Sequence, residues 1–257
     1  MKVYKKFLAL VLLIVILLII CIFVDDYKEH TVYHKWDNAF ELVKTIPHEK
    51  QRFTEGLFID NGTLVESSGG KDNKVYLRTD TNTGKAKDTI NIKGFAEGCA
   101  KMNGALYVLT WKYGKAYRIH DGKMDTLDYS HEGWGLTTDG KNLIASDGTS
   151  KIYFLGEDLN EFRTINVTFR KHPIAKLNEL EYVDGYIYAN VWQTNKIVKI
   201  NAKNGKIVEV YDFSSIHKDE DASNQDDTMN GIAYDSKKKL FYITGKNWSK
   251  IYILKQR

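Results

Sequence analysis

From Phe40 onward, apolar and polar residues alternate in short runs rich in Val, Ile, Tyr, Phe and Thr, broken by pairs of Gly, Asn and Asp. Alternation with period two puts one set of side chains on each face of a strand. An Asn-Gly or Asp-Gly pair between two such runs supplies the positive φ of a tight hairpin. These pairs stand at Asn61-Gly62, Asn103-Gly104, Asp121-Gly122, Asp139-Gly140, Asp184-Gly185 and Asn204-Gly205. No helical periodicity stands out here, so the pattern predicts an all-β domain over residues 40–257.

The hairpins repeat. Five segments open alike, at Glu55-Gly56-Leu57, Glu97-Gly98-Cys99, Trp134-Gly135-Leu136, Glu179-Leu180-Glu181 and Asn230-Gly231-Ile232. Each passes through a turn into a second strand with a polar end (63–68, 105–112, 142–148, 186–192, 240–246). A third strand follows (74–78, 116–119, 151–155, 196–200, 250–254). A unit recurring every 40–50 residues or so marks a β-propeller. The fifth unit has three strands, and Phe40 to Ile46 is placed to supply its outer one and close the ring without a free edge. The expected fold is a five-bladed β-propeller.

Equivalent positions in a propeller lie at one height. That brings Glu55, Glu97, Trp134, Glu179 and Asn230 together at the channel mouth. The ends of the second strands add Thr110, Trp111, Lys112, Asp147, Asn190, Trp192, Thr244 and Lys246. Aromatic walls with a few polar groups suit a small amphipathic ligand, and carboxylates sharing a partly buried site raise one another's pKa toward the useful range for acid or base chemistry. The loop 217–227, HKDEDASNQDD, lacks the glycine and spacing of a calcium loop and is expected to be solvated.

The N-terminus breaks the pattern. Residues 1–6 carry three lysines and residues 7–24 form an unbroken apolar run, followed by Asp25-Asp26. Eighteen helical residues reach about 27 Å, close to the roughly 30 Å hydrocarbon core of a bilayer. No small-x-small cleavage site follows Val24. The run is therefore expected to be an uncleaved transmembrane anchor, with residues 25–39 as linker and the propeller on the extracytoplasmic side, because lysines keep the short N-terminal side in the cytoplasm. Cys21 and Cys99, the two cysteines, leave no disulfide framework, so a core must hold the domain. A dispersed net charge of +4 excludes a nucleic-acid surface.

The blocks Phe53-Thr54-Glu55-Gly56-Leu57, Ala96-Glu97-Gly98, Leu109-Thr110-Trp111-Lys112, Glu132-Gly133-Trp134-Gly135-Leu136-Thr137, Ser146-Asp147-Gly148, Leu177-Asn178-Glu179-Leu180-Glu181-Tyr182, Ala189-Asn190-Val191-Trp192, Asn230-Gly231-Ile232-Ala233-Tyr234-Asp235 and Thr244-Gly245-Lys246 resemble, in order, those of plant-type glutaminyl cyclases. The resemblance spans roughly Pro47 to Ile253 and implies a five-bladed propeller that cyclises the N-terminal glutamine of peptides or proteins to pyroglutamate and releases ammonia, with no cofactor and no metal. It maps the catalytic glutamate onto Glu97 and the site residues onto Phe53, Trp111, Trp134, Asn178, Trp192 and Lys246. Glu55, also expected at the substrate, stands where the plant pattern has glutamine. The chemistry fits these residue types, since a carboxyl beside both nitrogens can move the proton that ring closure and ammonia loss require. His131 and His172 show no metal-ligand spacing. Two other readings remain at this point. One is a calcium-dependent propeller lactonase or hydrolase with Glu55, Glu97 and Asn230 as ligands. The other is a non-catalytic extracytoplasmic binding propeller.

Overall fold

The alternation turns into strands whose two faces feed different interfaces. The computed structural model describes residues 31–220 and 224–257. In chain order, β1 (Val32–Lys35), a helical turn (Trp36–Ala39) and β2 (Phe40–Pro47) precede blade 1, made of β3 (Thr54–Asp60), β4 (Thr63–Ser68), β5 (Lys74–Thr79) and β6 (Asp88–Asn91). Blade 2 holds β7 (Ala96–Met102), β8 (Ala105–Thr110), β9 (Lys115–His120) and β10 (Lys123–Asp128). Blade 3 holds β11 (Leu136–Thr138), β12 (Leu143–Ser146), β13 (Lys151–Leu155) and β14 (Glu161–Asn166). A small hairpin, β15 (Thr168–Phe169) and β16 (His172–Pro173), leads to blade 4, β17 (Leu177–Val183), β18 (Tyr186–Val191), β19 (Lys196–Asn201) and β20 (Ile207–Asp212). Blade 5 comprises β21 (Met229–Asp235), β22 (Leu240–Gly245) and β23 (Lys250–Gln256), and its outer strand is β2.

The innermost strands β3, β7, β11, β17 and β21 pack on one another in ring order. β2 closes the ring by antiparallel pairing with β23, Ile46 opposite Ile251. The five blades therefore follow the hairpin period of the sequence, including the borrowed outer strand.

Five buried hydrophobic clusters fill the five interfaces between neighbouring blades. β22 shows how alternation builds them. Phe241 and Ile243 enter the cluster shared with blade 4, while Tyr242 between them enters the cluster shared with blade 1. In β23, Tyr252 and Leu254 face blade 4, whereas Ile251 and Ile253 face blade 1. Each such side chain, removed from water, contributes about 1.5–3 kcal/mol before entropy is counted. This is the core that replaces the missing disulfides. Cys99 is part of it, and burial pushes its thiol up to about 12, so it is inert packing.

Residues 25–39 were expected to be linker, yet Val32–Lys35 form a strand parallel to β20, Val32 opposite Glu209 and Lys35 opposite Asp212. The outer edge of blade 4 offers unpaired amides and carbonyls, and a short passing segment satisfies them. Trp36 fixes the turn that follows by stacking on Phe213 and donating its indole N–H to Ser215 Oγ at 2.6 Å. Because β1 runs with β20, Thr31 bonds the Ile207 carbonyl at the end of the blade remote from the starts of the innermost strands. The membrane anchor expected over residues 7–24 lies outside the described residues. Among the described residues, no helix is long and apolar enough to cross a membrane.

Candidate active site

Four innermost strands break register at the same place, between Thr54 and Gly56, Ala96 and Cys99, Leu177 and Leu180, and Met229 and Ile232. A bulge re-aims the side chain it carries. Beyond it, Leu57, Cys99, Leu180 and Ile232 are paired with the second strands, as Leu136 is in blade 3. Two residues before each of these stand Glu55, Glu97, Trp134, Asn178 and Asn230. The blade 4 member of the ring is thus Asn178, one residue before the expected Glu179.

Glu179 occupies the place held elsewhere by Gly56, Gly98, Gly135 and Gly231. A Cβ at Gly98 would lie 2.3 Å from the Leu136 nitrogen, and one at Gly135 would lie 2.1 Å from the Asn178 carbonyl oxygen, so glycine lets the next blade approach. In blade 4 the side chain instead crosses the axis. The Glu179 carboxyl accepts the backbone N–H of Leu57 at 3.1 Å and of Ile232 at 2.8 Å. Glu181, one turn of the pleat deeper, accepts from Tyr234 N at 2.8 Å and Thr137 Oγ1 at 3.1 Å. Burial raises both carboxyls, Glu181 to about 8. These two acids tie blades together and do not face the cavity.

The cavity at the mouth has a volume of about 230 Å³ and is lined by Phe53, Glu55, Phe95, Glu97, Trp111, Trp134, Asn178, Trp192, Asp226 and Lys246. All eight residues expected at the site therefore share one wall. The aromatic part falls into two runs, Phe53 edge-on to Phe95 at 6.1 Å and Phe95 edge-on to Trp111 at 5.7 Å, and Trp134 edge-on to Trp192 at 5.4 Å. Glu132 joins the two halves, accepting the indole N–H of Trp111 and, at 3.3 Å, that of Trp134. Lys176 lies over the Trp192 ring at 5.3 Å. A larger hollow of about 330 Å³ opens on the opposite face beside Met102, Arg118 and Asp125, but the acids around it are exposed.

The polar floor is asymmetric. Lys246 Nζ lies 2.6 Å from Glu55 Oε1 and 4.5 Å above the Phe53 ring, with its side chain only 7% exposed. Asn230 Nδ2 donates to Glu55 Oε2 at 3.1 Å and to the Thr54 carbonyl at 2.9 Å. Glu97 has no such cation of its own and shares the cavity floor with Glu55, whose charge acts on it. Burial, reinforced by the Glu55 charge and only partly opposed by Lys246, holds the Glu97 carboxyl well above the usual range. Burial raises Glu55 too, but Lys246 pulls it back. The pair therefore holds a proton more tightly than two separate carboxyls would, and Glu97, without a cation of its own, is the better holder. At the wall, Asn178 Oδ1 is buried without a hydrogen-bond partner among the described residues, free to meet a ligand.

Other members of the expected second ring are consumed by the fold. Thr110 bonds the Lys115 carbonyl, Asp147 accepts from Tyr153 Oη at 2.8 Å, Asn190 Oδ1 accepts from Gly231 N at 3.0 Å, and Thr244 bonds the Lys250 carbonyl at 2.9 Å. Lys112 stays exposed, its Nζ 4.5 Å from the centre of the Trp111 ring. The calcium reading meets an ammonium already on Glu55, and among the described residues no three His, Cys, Asp or Glu side chains are grouped to hold a metal ion.

Two lining residues went unnoticed in the sequence. Phe95 had a signal, because Phe53-Thr54-Glu55-Gly56 and Phe95-Ala96-Glu97-Gly98 repeat the same four-residue pattern. Asp226 had none. Its loop is less solvated than expected: Glu220 accepts from Ser249 N at 2.7 Å and Tyr252 Oη at 2.8 Å, and Asp227 accepts from Asn247 Nδ2 at 2.7 Å. These buried acids dock the loop on blade 5 and carry Asp226 to the cavity.

A family model described as glutamine cyclotransferase matches residues 13–256. A glutaminyl-peptide cyclotransferase of Arabidopsis thaliana is 31% identical over 228 residues, covering 85% of this chain and 71% of that protein. The crystal structure of a Myxococcus xanthus glutaminyl cyclase superposes with a TM-score of 0.81 at 27% identity, over 88% of this chain and 98% of that one. The WD40 propeller domain of Doa1 superposes with a TM-score of 0.50 at 12% identity, over 85% of this chain and 97% of that one, which shows the propeller fold alone.

Proposed function

The chain belongs to the glutamine cyclotransferase family, and we propose that it is a glutaminyl-peptide cyclotransferase, an acyltransferase that closes an N-terminal glutamine onto its own α-amine and releases ammonia. The observation that carries this reading is Glu97, a buried carboxyl at the floor of an aromatic cavity, beside Glu55 and Lys246. At about 230 Å³ the cavity is smaller than the roughly 300–1,000 Å³ of sites for drug-sized ligands and suits one side chain.

The mechanism follows from the groups present. A peptide α-amine has a pKa of about 7.7–8.0, so a useful fraction is neutral and nucleophilic near physiological pH. Its nitrogen attacks the glutamine δ-carbonyl carbon, forming the ring C–N bond and a tetrahedral adduct with a charged ring nitrogen and an oxyanion. Glu97 gives its proton to the amide nitrogen, the Cδ–Nε bond breaks, and ammonia leaves. Glu97 then recovers a proton from the ring nitrogen, so the cycle balances with no net proton change. Lys246, which retains N–H groups beyond the one on Glu55, stabilises the oxyanion, and Asn178 Oδ1 accepts an N–H of the substrate. Phe53, Trp111, Trp134 and Trp192 hold the glutamine arm curled, where the gain comes from orientation.

The same proposal includes a membrane anchor at residues 7–24 with the propeller outside the cytoplasm, supported by the apolar run and the lysines before it. Since Thr31 lies at the blade end remote from the cavity, an anchored propeller turns its mouth away from the bilayer.

Purified protein is expected to release ammonia from Gln-initiated dipeptides and to leave a pyroglutamyl product. Silence across a panel of such peptides would end the cyclase reading.

A further inference from the structure

Glu55 is the residue where this chain leaves the plant pattern, and its surroundings give it a different task from the aromatic residues beside it. Both carboxylate oxygens are already held, Oε1 by Lys246 at 2.6 Å and Oε2 by Asn230 at 3.1 Å, and its side chain is 2% exposed. A group so occupied has little left to offer a substrate. What it still does is face Glu97, its neighbour on the cavity floor, and act on it through its charge.

We propose that Glu55 is a positioning residue for the catalytic proton: fixed as an anion by Lys246 and Asn230, it accepts the hydrogen bond of protonated Glu97 and holds that proton on the carboxyl lining the cavity. This inference deepens the cyclase reading and rests on it. A glutamine at position 55 could accept from Lys246 through its one carbonyl oxygen, but it would lose the second acceptor that meets Asn230 Nδ2 and would carry no charge to retain the proton. The amine must be neutral to attack, which favours mildly alkaline conditions, while Glu97 must still be an acid. The anion at Glu55 extends the range in which both hold. The charged and titratable groups facing the pair are Lys246 after β22, Glu132 before β11, Asp226 from the docked loop, and Glu179 across the axis. Only Lys246 opposes the proton, and Glu55 already binds it.

The test is a pair of variants with opposite signs. In Glu55→Gln the negative neighbour is gone and Lys246 is left unbalanced, so the proton on Glu97 should leave at lower pH. The alkaline limb of kcat should move down by about one pH unit or more, with KM nearly unchanged. In Lys246→Met the anion at Glu55 is uncompensated, and the last proton of the pair should leave at higher pH. The direct readout is the carboxyl 13C NMR titration of Glu97 in protein labelled on glutamate, assigned by its loss in Glu97→Gln. If either variant folds, one sign is tested. An unchanged titration of Glu97 in the folded variant, or a shift of the opposite sign, would overturn the proposal. If the wild type turns over no Gln-initiated peptide, the cyclase reading falls, and the titration still decides whether Glu55 holds the proton.

Discussion

Two clusters of buried acid meet along β3, and adjacent residues belong to different ones. Thr54 belongs to the first, where Glu66 accepts from Thr54 Oγ1 at 2.7 Å, from His48 Nε2 at 2.9 Å and from Arg52 Nη1 at 2.9 Å. His48 Nδ1 bonds the Trp248 carbonyl at 2.8 Å, so both ring nitrogens donate and the imidazole is charged. Burial alone would raise Glu66, but His48 and Arg52 outweigh it and bring the carboxyl down to about 2. Glu55 begins the second cluster, where Lys246 balances one of two carboxyls and Glu97 keeps a proton. The burial is similar and the counting of cations is different. Two cations around the one buried carboxylate, with the exposed Glu49 also on Arg52 at 3.2 Å, make a clasp between blades 5 and 1; one cation for two buried carboxyls makes a proton store.

Glu97→Gln breaks the second cluster where it matters most. An amide can still donate to Glu55, so the variant should fold with a stability close to wild type, but it has no proton to transfer. The rate of ammonia release should fall by about 10²–10⁴, measured under saturating substrate, with peptide binding largely kept. A wild-type rate would assign the acid to another group. Glu66→Gln breaks the first cluster with the opposite outcome. It strands His48, fully buried, as an uncompensated cation and leaves the equally buried Arg52 with only the exposed Glu49, at 3.2 Å. Removing one partner of a buried pair costs about 3–5 kcal/mol, which urea unfolding would read, while turnover per folded molecule should change little. Loss of activity without loss of stability would merge the two clusters into one functional unit.

This division was only partly legible in the sequence. The blade count and the outer strand β2 follow from alternation and turn chemistry, because a propeller spends most of its residues on strands with two buried faces. β1 was not legible, since its residues are largely exposed and its pairing is backbone to backbone. In blade 4 the register was misread by one residue because Glu179 stands where the other blades carry glycine, and spacing alone does not reveal a bulge. Phe95 was readable from its repeat with Phe53. Asp226 was not, because its position depends on where Glu220 and Asp227 dock, and those partners, Ser249, Tyr252 and Asn247, are supplied by blade 5.

The smallest expected effect is also the one that separates the clusters most cleanly, because their stabilities should slope in opposite directions with pH. Glu66 falls from an ordinary value of 4.5 to about 2 on folding, so its contribution is present above about 4.5 and is lost as pH falls toward 2. The stability gap between wild type and Glu66→Gln should therefore shrink over that window, by on the order of 3 kcal/mol. Glu97 moves the other way. Its folded value is raised, so the stability it contributes is complete below about 4.5 and is lost as pH rises toward the folded value, while the unfolded chain ionises. Glu97→Gln should then gain on wild type as pH rises above about 4.5, read as a growing difference in urea midpoint. Parallel slopes for the two variants would mean that Glu97 is ionised in the folded protein, and the proton would have to come from elsewhere.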